Sequence, residues 1–127
     1  MRALQRVASS LKLGFPICVL ALLSVTVLGC HSHGIDVTIQ NNAKAPLRNV
    51  ELDYPGASFG TGSILPGASY WYHIKPTDNG EITLSFEEED GKTFKQKGPA
   101  VRAGEDGRMI IIVDQNAGKQ WSVRVER

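Results

Sequence analysis

The densest group of aromatic side chains in the sequence is a run of four residues, Tyr70, Trp71, Tyr72 and His73. Exposed tryptophan is common at binding hot spots, and an aromatic ring can pack against a sugar ring or a partner's side chain. Alternate residues of a strand point to opposite faces, so Tyr70 and Tyr72 share one face. Trp71 and His73 share the other. The four residues are candidates for a binding platform; the alternative is that one face fills the core while Trp71 shields a strand edge.

His73 is also the one histidine that lies well inside the region after residue 34. A serine–histidine–acid arrangement would have to use it as the general base. Ser58 has the glycine spacing of a nucleophile elbow (Gly56-Ala57-Ser58-Phe59-Gly60), but that motif needs a strand-to-helix turn, and no segment of the chain has helical periodicity. The sequence therefore favours an exposed strand histidine and predicts that the protein is not an enzyme. A small hydrolase is the less favoured alternative.

The other two histidines, His31 and His33, are spaced so that both rings point to one side of an extended chain. Converging imidazoles are what a copper or zinc site requires. Two ligands on a short polar segment do not complete such a site, and neither a cysteine nor a third histidine follows nearby. We interpret the segment as a flexible spacer, with His31 and His33 as metal-ligand candidates.

An acidic run, Glu87-Glu88-Glu89-Asp90, precedes Gly91 in the sequence. Paired carboxylates can serve glycoside hydrolysis or bind calcium. The run lacks the alternating oxygen ligands of a calcium loop, and three lysines follow it at 92, 95 and 97. A hairpin turn with solvated, opposite charges on its two strands is the simpler interpretation.

Two cysteines occur in the chain, Cys18 and Cys30. The first twelve residues carry three basic and no acidic side chains, and an apolar run of sixteen residues follows from Leu13 to Leu28. These features are typical of a secretory signal peptide, whose core is shorter than the roughly 20 residues of a membrane-spanning helix. Pro16 would also disturb such a helix. A retained membrane anchor over residues 13–28 is the alternative.

The end of the apolar run, Val27-Leu28-Gly29-Cys30, resembles the lipobox of bacterial lipoprotein precursors. That motif has an aliphatic residue three positions before the cysteine, a variable position, a glycine and the cysteine itself. Leu28 departs from the Ala, Ser or Thr more usual at its position. The resemblance implies removal of residues 1–29, diacylglycerol on the Cys30 sulfur and acylation of the new amino group. A thiolate is the nucleophile that accepts such a lipid, and two or three acyl chains give a stable anchor.

Residues 30–34 then form the lipidated cysteine and a short tether. Four extended residues reach about 13 Å at most, so we expect the domain to sit against the bilayer. In the lipoproteins that this chain resembles, a residue other than aspartate after the cysteine implies export to the outer membrane, and here that residue is His31. The expected location is the outer membrane, facing the periplasm, with the inner membrane as the alternative. Because both cysteines precede residue 31, we expect no disulfide in the domain.

Residues 35–127 show short segments in which apolar and polar residues alternate, separated by turn residues every eight to twelve positions. This pattern is typical of an all-β sandwich, and it predicts a single antiparallel sandwich of seven or eight strands. The continuous apolar run Met109–Val113 predicts a central strand. The glycine-rich Phe59–Gly62 predicts an irregular or edge strand. Strand number and turn spacing resemble immunoglobulin-like or fibronectin-like modules of bacterial envelopes, without identifying a family.

The charge balance restricts the partners that we expect. The whole chain has 14 Lys+Arg and 13 Asp+Glu, and without residues 1–29 eleven basic and thirteen acidic residues remain, a net charge of −2. Such a mixed surface does not favour nucleic acid or a polybasic contact with lipid. We expect a non-catalytic binding or assembly module with an envelope protein or a glycan as partner, and no cofactor apart from the lipid on Cys30.

Three functions remain open at this point. In the first, a free sheet edge such as Phe59–Gly62 offers backbone groups to a partner strand. In the second, Trp71 and the neighbouring tyrosines make a carbohydrate- or peptidoglycan-binding module. A small hydrolase or a metal-handling protein is the third, and the sequence favours it least.

Overall fold

The computed structural model of the protein describes residues 33–127. The predicted signal peptide (residues 1–29), the predicted lipidation site Cys30 and the metal-ligand candidate His31 lie outside the described residues. Within 33–127 there is no helix long and apolar enough to cross a membrane.

Eight strands follow one another along the described chain, and they form two four-stranded sheets. The strands are β1 (Ile35–Asn41), β2 (Leu47–Tyr54), β3 (Ala57–Ile64), β4 (Ser69–Ile74), β5 (Gly80–Glu87), β6 (Thr93–Val101), β7 (Gly107–Gln115) and β8 (Trp121–Glu126). The strand order is β4-β1-β7-β8 in the first sheet and β3-β2-β5-β6 in the second. The all-β sandwich expected from the alternating pattern is confirmed, and it has eight strands.

One strand pair departs from the expected antiparallel arrangement. β1 lies antiparallel to β4 but parallel to β7, with Ile35 opposite Gly107 and Asn41 opposite Val113. The two strands are far apart in sequence, so no hairpin joins them, and a parallel pair is possible because the chain crosses between the sheets in the interval. The prediction of a wholly antiparallel sandwich was wrong in this pair.

The hydrophobic core lies between the two sheets. On β1 the odd-numbered residues are buried and the even-numbered ones are half-exposed, the period of two that a strand with one covered face requires. β7 lies between β1 and β8, and Met109, Ile111 and Val113 point into the core, so the central strand predicted for this run is confirmed. Facing them from the second sheet are Leu52, Leu84 and Phe86. Residues 33–127 form one compact unit around this core.

Two strands are longer or more regular than their sequences suggested. β3 extends over eight residues and keeps one register with β2 from Ala57 to Ile64, although Gly62 has no partner in that ladder. β6 is also long, with nine residues from Thr93 to Val101. A register shift instead lies on β2, where Asn49 has a φ of 44° between the pairs that Arg48 and Glu51 make with β5.

Successive strands reverse direction, so the loops gather at two ends of the sandwich. We call the end that holds His33, the loops 55–56, 75–79 and 102–106 and the last residue the proximal end. The distal end holds the loops 42–46, 65–68, 88–92 and 116–120. A strand of seven residues separates the two ends by about 23 Å. The chain therefore enters the domain at one end and presents half of its loops at the other.

Asn41 is a fully buried polar residue at the distal end of β1. Its Nδ2 donates to the carbonyl oxygens of Ala45 and Ile64, both at 2.9 Å, and its Oδ1 accepts from the Ala43 amide at 3.0 Å. The side chain thus ties the β1–β2 loop to the end of β3. Hydrogen bonds at all these atoms remove the cost of burying the amide.

We predict that Asn41→Ala lowers the free energy of unfolding of the domain by about 3 kcal/mol, because it leaves two carbonyl oxygens and one amide unpaired. The neighbouring Asn42 is exposed, and Asn42→Ala keeps the backbone bond from the Asn42 amide to Val113. That control should change stability by less than about 0.5 kcal/mol. Urea unfolding of residues 31–127 measures both. Equal losses in the two variants would contradict the role given to the Asn41 side chain.

Candidate functional site

Strand β4 positions the aromatic run predicted from the sequence. It is an edge strand of the first sheet, paired with β1, and Ile74 at its end is fully buried. The alternation carried along the strand turns Tyr70 and Tyr72 inward. Trp71 and His73 therefore point outward. The four candidate residues do not form one platform, since they are divided between two faces.

The inward pair closes one open side of the sandwich. Tyr72 stacks on Phe59 of β3, with ring centroids 4.3 Å apart and planes at 18°, and Tyr70 stacks on the same ring at 6.2 Å. Tyr54 of β2 packs on the other flank of Phe59 at 6.5 Å. These rings cover the gap between the edge strands β3 and β4. Tyr70 and Tyr72 therefore serve mainly to pack the fold, and their side chains are only partly accessible to solvent.

Burial among these rings, and to a lesser degree the proximity of Tyr72, raises the pKa of Tyr54 above its ordinary value of 10. The folded protein therefore holds the Tyr54 proton more tightly than the unfolded chain does. Stability from this difference is complete below pH 10, where both states are protonated. It is lost as the pH rises from 10 towards the pKa of the folded state.

We predict that the free energy of unfolding of the wild-type domain falls more steeply between pH 9 and pH 11 than that of Tyr54→Phe. The substituted ring keeps its packing but has no hydroxyl to ionise. Urea unfolding at the two pH values gives the comparison, and the other tyrosines are common to both proteins. Parallel slopes would show that Tyr54 ionises in the folded state as it does in the unfolded chain.

The outward pair contributes to a different surface. Trp71 is 60% exposed, and its register neighbour on β1 is Thr38, which in turn lies beside Ile110 of β7. In the next row, Gln40 lies beside Ile112. We call four outward side chains, Trp71, Thr38, Gln40 and Ile110, the Trp71 surface; Ile112 lies on the same face but is buried. The surface is a patch on the outer face of the first sheet that combines an indole ring, an aliphatic side chain and two polar groups.

Charged groups border the Trp71 surface. Toward the proximal end, Asp36 of β1 and Arg108 of β7 occupy register positions on the same outer face. Toward β8, Arg124 and Glu126 lie opposite Ile112 and Ile110, and their side chains are 3.3 Å apart between Nε and Oε1. An apolar centre with a charged and polar border is the usual composition of a site that recognises a partner.

His73 is held at the proximal border of this surface. Its Nδ1 lies 2.7 Å from Oδ1 of Asp36, and its Nε2 lies 3.2 Å from the carbonyl oxygen of His33. The ring is half-buried between β1, β4 and the start of the described chain. A general base needs its second nitrogen within reach of a nucleophile, and here a backbone oxygen takes that position. The geometry thus gives His73 a structural contact in place of the exposed position predicted for it.

The segment before β1 is fixed as well. Asp106 accepts a hydrogen bond from the Gly34 amide at 2.7 Å and lies 2.9 Å from Nδ1 of His33. The Gly107 amide donates to the Gly34 carbonyl oxygen. Gly34 has a φ of 148°, and a Cβ there would lie 2.5 Å from both His73 Nε2 and the Ile74 carbonyl oxygen. Within the predicted tether, His33 and Gly34 thus contact the 102–106 loop.

No three histidine, cysteine, aspartate or glutamate side chains converge as a metal site in the part of the chain that the structure describes. His33 is directed at Asp106, and the other member of the predicted pair, His31, precedes that part. Of the two predicted ligands, His33 is therefore in contact with Asp106, and His31 lies outside the described residues.

The acidic run lies at the distal end, far from the Trp71 surface. Glu88 to Gly91 form a hairpin turn closed by the Glu88 amide and the Lys92 carbonyl oxygen. Its carboxylates line an open cleft of about 480 Å³ whose other walls include Lys44, Lys119 and Trp121. Lysines therefore face the carboxylates across the cleft and also follow them along β6. The solvated arrangement of opposite charges agrees with the simpler interpretation of this run.

Sequence reasoning missed Asp36, Asp106 and Ile110 as members of these contacts. Asp36 and Ile110 were visible as outward positions of predicted strands, but their register with β4 depends on which strands pair. Asp106 lies in a loop that the sequence marked only by Gly104 and Gly107. Its partners are 72 and 73 residues away in the chain, so no local pattern could have connected them.

No family model matches this chain, and no curated protein matches it. Among solved structures, it is similar to one described as the NMR structure of a protein from Eubacterium rectale. The match has a TM-score of 0.62 at 8% sequence identity, and covers 78% of this chain and 96% of that one. A likeness at that identity concerns the fold alone.

We predict that Trp71→Ala and Tyr72→Ala separate binding from packing. Loss of the Trp71 ring should change the free energy of unfolding by about 1 kcal/mol, because most of its surface is already exposed. Loss of Tyr72 removes the stack on Phe59 and should cost about 2 kcal/mol. Urea unfolding of the two variants measures this. A larger loss for Trp71→Ala would mean that its ring supports the fold.

Proposed function

We propose that the protein is a lipid-anchored lipoprotein of the bacterial cell envelope whose domain acts by binding and not by catalysis. The anchor is inferred from the lipobox-like residues Val27-Leu28-Gly29-Cys30 after a basic and apolar leader. The binding role rests on one observation, the exposure of 60% of the Trp71 side chain on the outer face of the first sheet. The proposed location is the outer membrane, facing the periplasm, with the inner membrane as the alternative.

The fixed start of the domain supports an orientation for such an anchor. His33 is bound to Asp106, so only His31 and Ser32 separate Cys30 from the first fixed residue. Three residues of extended chain span about 10 Å. A lipid on Cys30 would therefore hold the proximal end against the bilayer. The Trp71 surface would stand upright from the membrane, and the distal loops would face away from it.

Strand order supports an immunoglobulin-like interpretation of the sandwich. The order β3-β2-β5-β6 is that of strands C′, C, F and G in an immunoglobulin variable domain, and β4-β1 corresponds to the pair E and B. The departure is β7, which lies parallel to β1 at the position of strand A. We infer an immunoglobulin-like core of six strands to which β7 and β8 add the remainder of one sheet.

A second candidate function is carbohydrate binding, and the composition of the Trp71 surface favours it. An indole face packs well against the C–H face of a sugar ring, while the side chains of Thr38 and Gln40 can bind hydroxyl groups beside it. In an envelope protein the abundant polymer of this chemistry is peptidoglycan. The rival within the same proposal is a protein partner that uses the same ring as its anchor.

We predict that the protein extracted from membranes has the mass of residues 30–127 plus acyl chains. Cys30→Ala should abolish this species, because no thiol remains to carry the lipid. Intact mass spectrometry of the two proteins decides, and separation of inner and outer membranes by density then locates the wild type. A wild-type mass of the full 127 residues would show that residues 13–28 stay as a membrane segment and would overturn the lipid anchor.

For the carbohydrate candidate, we expect residues 31–127 to sediment with purified peptidoglycan and Trp71→Ala to lower the bound fraction about tenfold. The matched control is Leu65→Ala, since Leu65 is 63% exposed but lies in a distal loop. If Leu65→Ala binds as the wild type does and Trp71→Ala does not, the contact lies on the Trp71 surface. Equal binding by all three proteins would remove peptidoglycan as the ligand of this surface.

A further inference from the structure

The four edge strands of the two sheets carry different charges. β6 contains Lys95, Lys97 and Pro99, and β8 contains Arg124 and Glu126. Charged side chains and proline on an edge prevent another strand from pairing with it. β3 (Ala57–Ile64) has neither a charged residue nor a proline, and β4 has only His73. One side of the sandwich is protected against strand addition, and the other side is not.

β3 is also the longer of the two unprotected edges, with eight residues against the six of β4. Over residues 33–127 it pairs with β2 alone, in one register, whereas the β2–β5 and β5–β6 pairs contain register shifts. Phe59 is buried and holds the strand to the core through the stack on Tyr72. Ser58, Gly60, Gly62 and Ser63 are exposed. The free side of β3 therefore offers a row of backbone donors and acceptors to a partner strand.

The outer face above this edge is open because of its glycines. A Cβ on Gly60 would lie 2.8 Å from the Val50 carbonyl oxygen, so the position has no room for a side chain. Gly62 has nothing within 4 Å of its would-be Cβ. A side chain that projects outward from an added strand could extend across these positions towards β2 without a steric obstacle.

Two carboxyl groups lie on β2, where such a side chain would end. Glu51 and Asp53 project outward from β2 opposite Gly60 and Ser58. The hydrogen bond that Glu51 shares with Asp53, together with the charge of Asp53, raises the pKa of Glu51 above its ordinary value, although Lys95, in the same row across β5, acts in the opposite direction. The two groups are thus close enough to repel each other when both are ionised. An added strand would lie about 9.6 Å from β2, two strand spacings away, a distance that a long basic side chain and Glu51 can bridge together.

We propose that β3 is a receptor edge for an extended segment of a partner protein in which apolar residues alternate with lysine or arginine. The segment adds a fifth strand to the sheet β3-β2-β5-β6. Its basic side chains cross Gly60 and Gly62 to Glu51 and Asp53, and its apolar side chains extend the cover over Phe59 and Tyr72. Backbone pairing supplies affinity, and the carboxylates supply selectivity for charge.

A second copy of this chain is the less suitable occupant. Two identical edges related by a two-fold axis pair antiparallel, so the strands of the second copy would run in the opposite direction. Its proximal end would then point away from that of the first copy. This step rests on the proposed lipid anchor, because two copies held close to one bilayer by residues 30–32 cannot take that arrangement.

The test uses residues 31–127, which contain the whole core, and a seven-residue peptide, acetylated and amidated, that alternates valine or threonine with lysine. Binding is followed by NMR, together with hydrogen exchange of the Phe59–Ser63 amides. We expect protection of these amides, and binding at least tenfold tighter than that of the same peptide with glutamate for lysine. Protection at β4 or β8 in place of β3, or equal binding of both peptides, would overturn the proposal.

Two protein variants make the test specific. Gly62→Lys places a charge in the middle of β3 where space is open, and should weaken the lysine peptide at least tenfold. Thr93→Lys adds the same charge to the exposed, already basic edge β6 and should change binding less than twofold. The double variant Glu51→Gln, Asp53→Asn should reduce the preference for lysine over glutamate while protection of the β3 amides remains.

The remaining outcomes separate this proposal from the function on which one step depends. A concentration-dependent dimer that protects the same amides without peptide would replace the partner segment with a second copy. Binding of the peptide at β3 together with an unprocessed chain in the mass measurement would overturn the anchor and leave the receptor edge standing. A processed, acylated chain that does not bind the peptide would support the anchor and overturn the receptor edge.

Discussion

Burial of one face of each sheet against the other is the interaction on which the rest of the structure depends. Residues 33–127 contain no cysteine, so the two sheets are held together by the apolar side chains between them. Full burial of each large aliphatic or aromatic side chain contributes roughly 1.5–3 kcal/mol. Every inward position is therefore assigned to the core, and recognition is confined to the outer faces, the edges and the loop ends.

The two open sides of the sandwich show how this constraint is met differently. Between β6 and β8 the border is charged, and Gln96 of one strand donates to the Val123 carbonyl oxygen of the other. Between β3 and β4 the gap is closed by Phe59 and its tyrosines, and the strands themselves are uncharged. Aromatic closure protects the core from water but leaves the backbone of β3 open to pairing. Rings also close the other side, where Phe94 of β6 and Trp121 of β8 pack on Phe86, so the two sides differ in the charge of their edge strands.

The proximal end connects the fold with its proposed place in the cell envelope. Asp106 binds both His33 and Gly34, and His73 reaches the His33 carbonyl oxygen from β4. Residues 33 and 34 are therefore joined to the domain by contacts from both the 102–106 loop and β4. His73 was the candidate for catalysis and His33 a candidate for metal binding, and each makes a contact that positions this segment.

The local sequence pattern was enough to predict the strands, but it could not predict which strands pair with one another. The alternation of Val37 and Ile39, or of Ile82 and Leu84, reports burial of one strand face through a periodicity that each segment carries by itself. The same rule placed Trp71 on the face opposite Tyr70 and Tyr72, but it did not decide which of the two faces is exposed. It did not give the neighbours of Trp71, Thr38 and Ile110, because they depend on the pairing of β1 with both β4 and β7. The regularity of β3 was also missed, since glycine lowers strand propensity without showing whether a partner strand compensates for it.

The sequence by itself determined the all-β class, the faces of the strands and the lipobox-like resemblance, since these depend on residues close together in the chain. Only the tertiary structure decided that β1 and β7 are parallel, that Asp106 fixes His33 and that Glu51 stands beside Gly60. Each of these contacts joins segments whose separation in sequence carries no periodic signal. They form because burying the core chooses one strand order among many, and the outer contacts follow from that order.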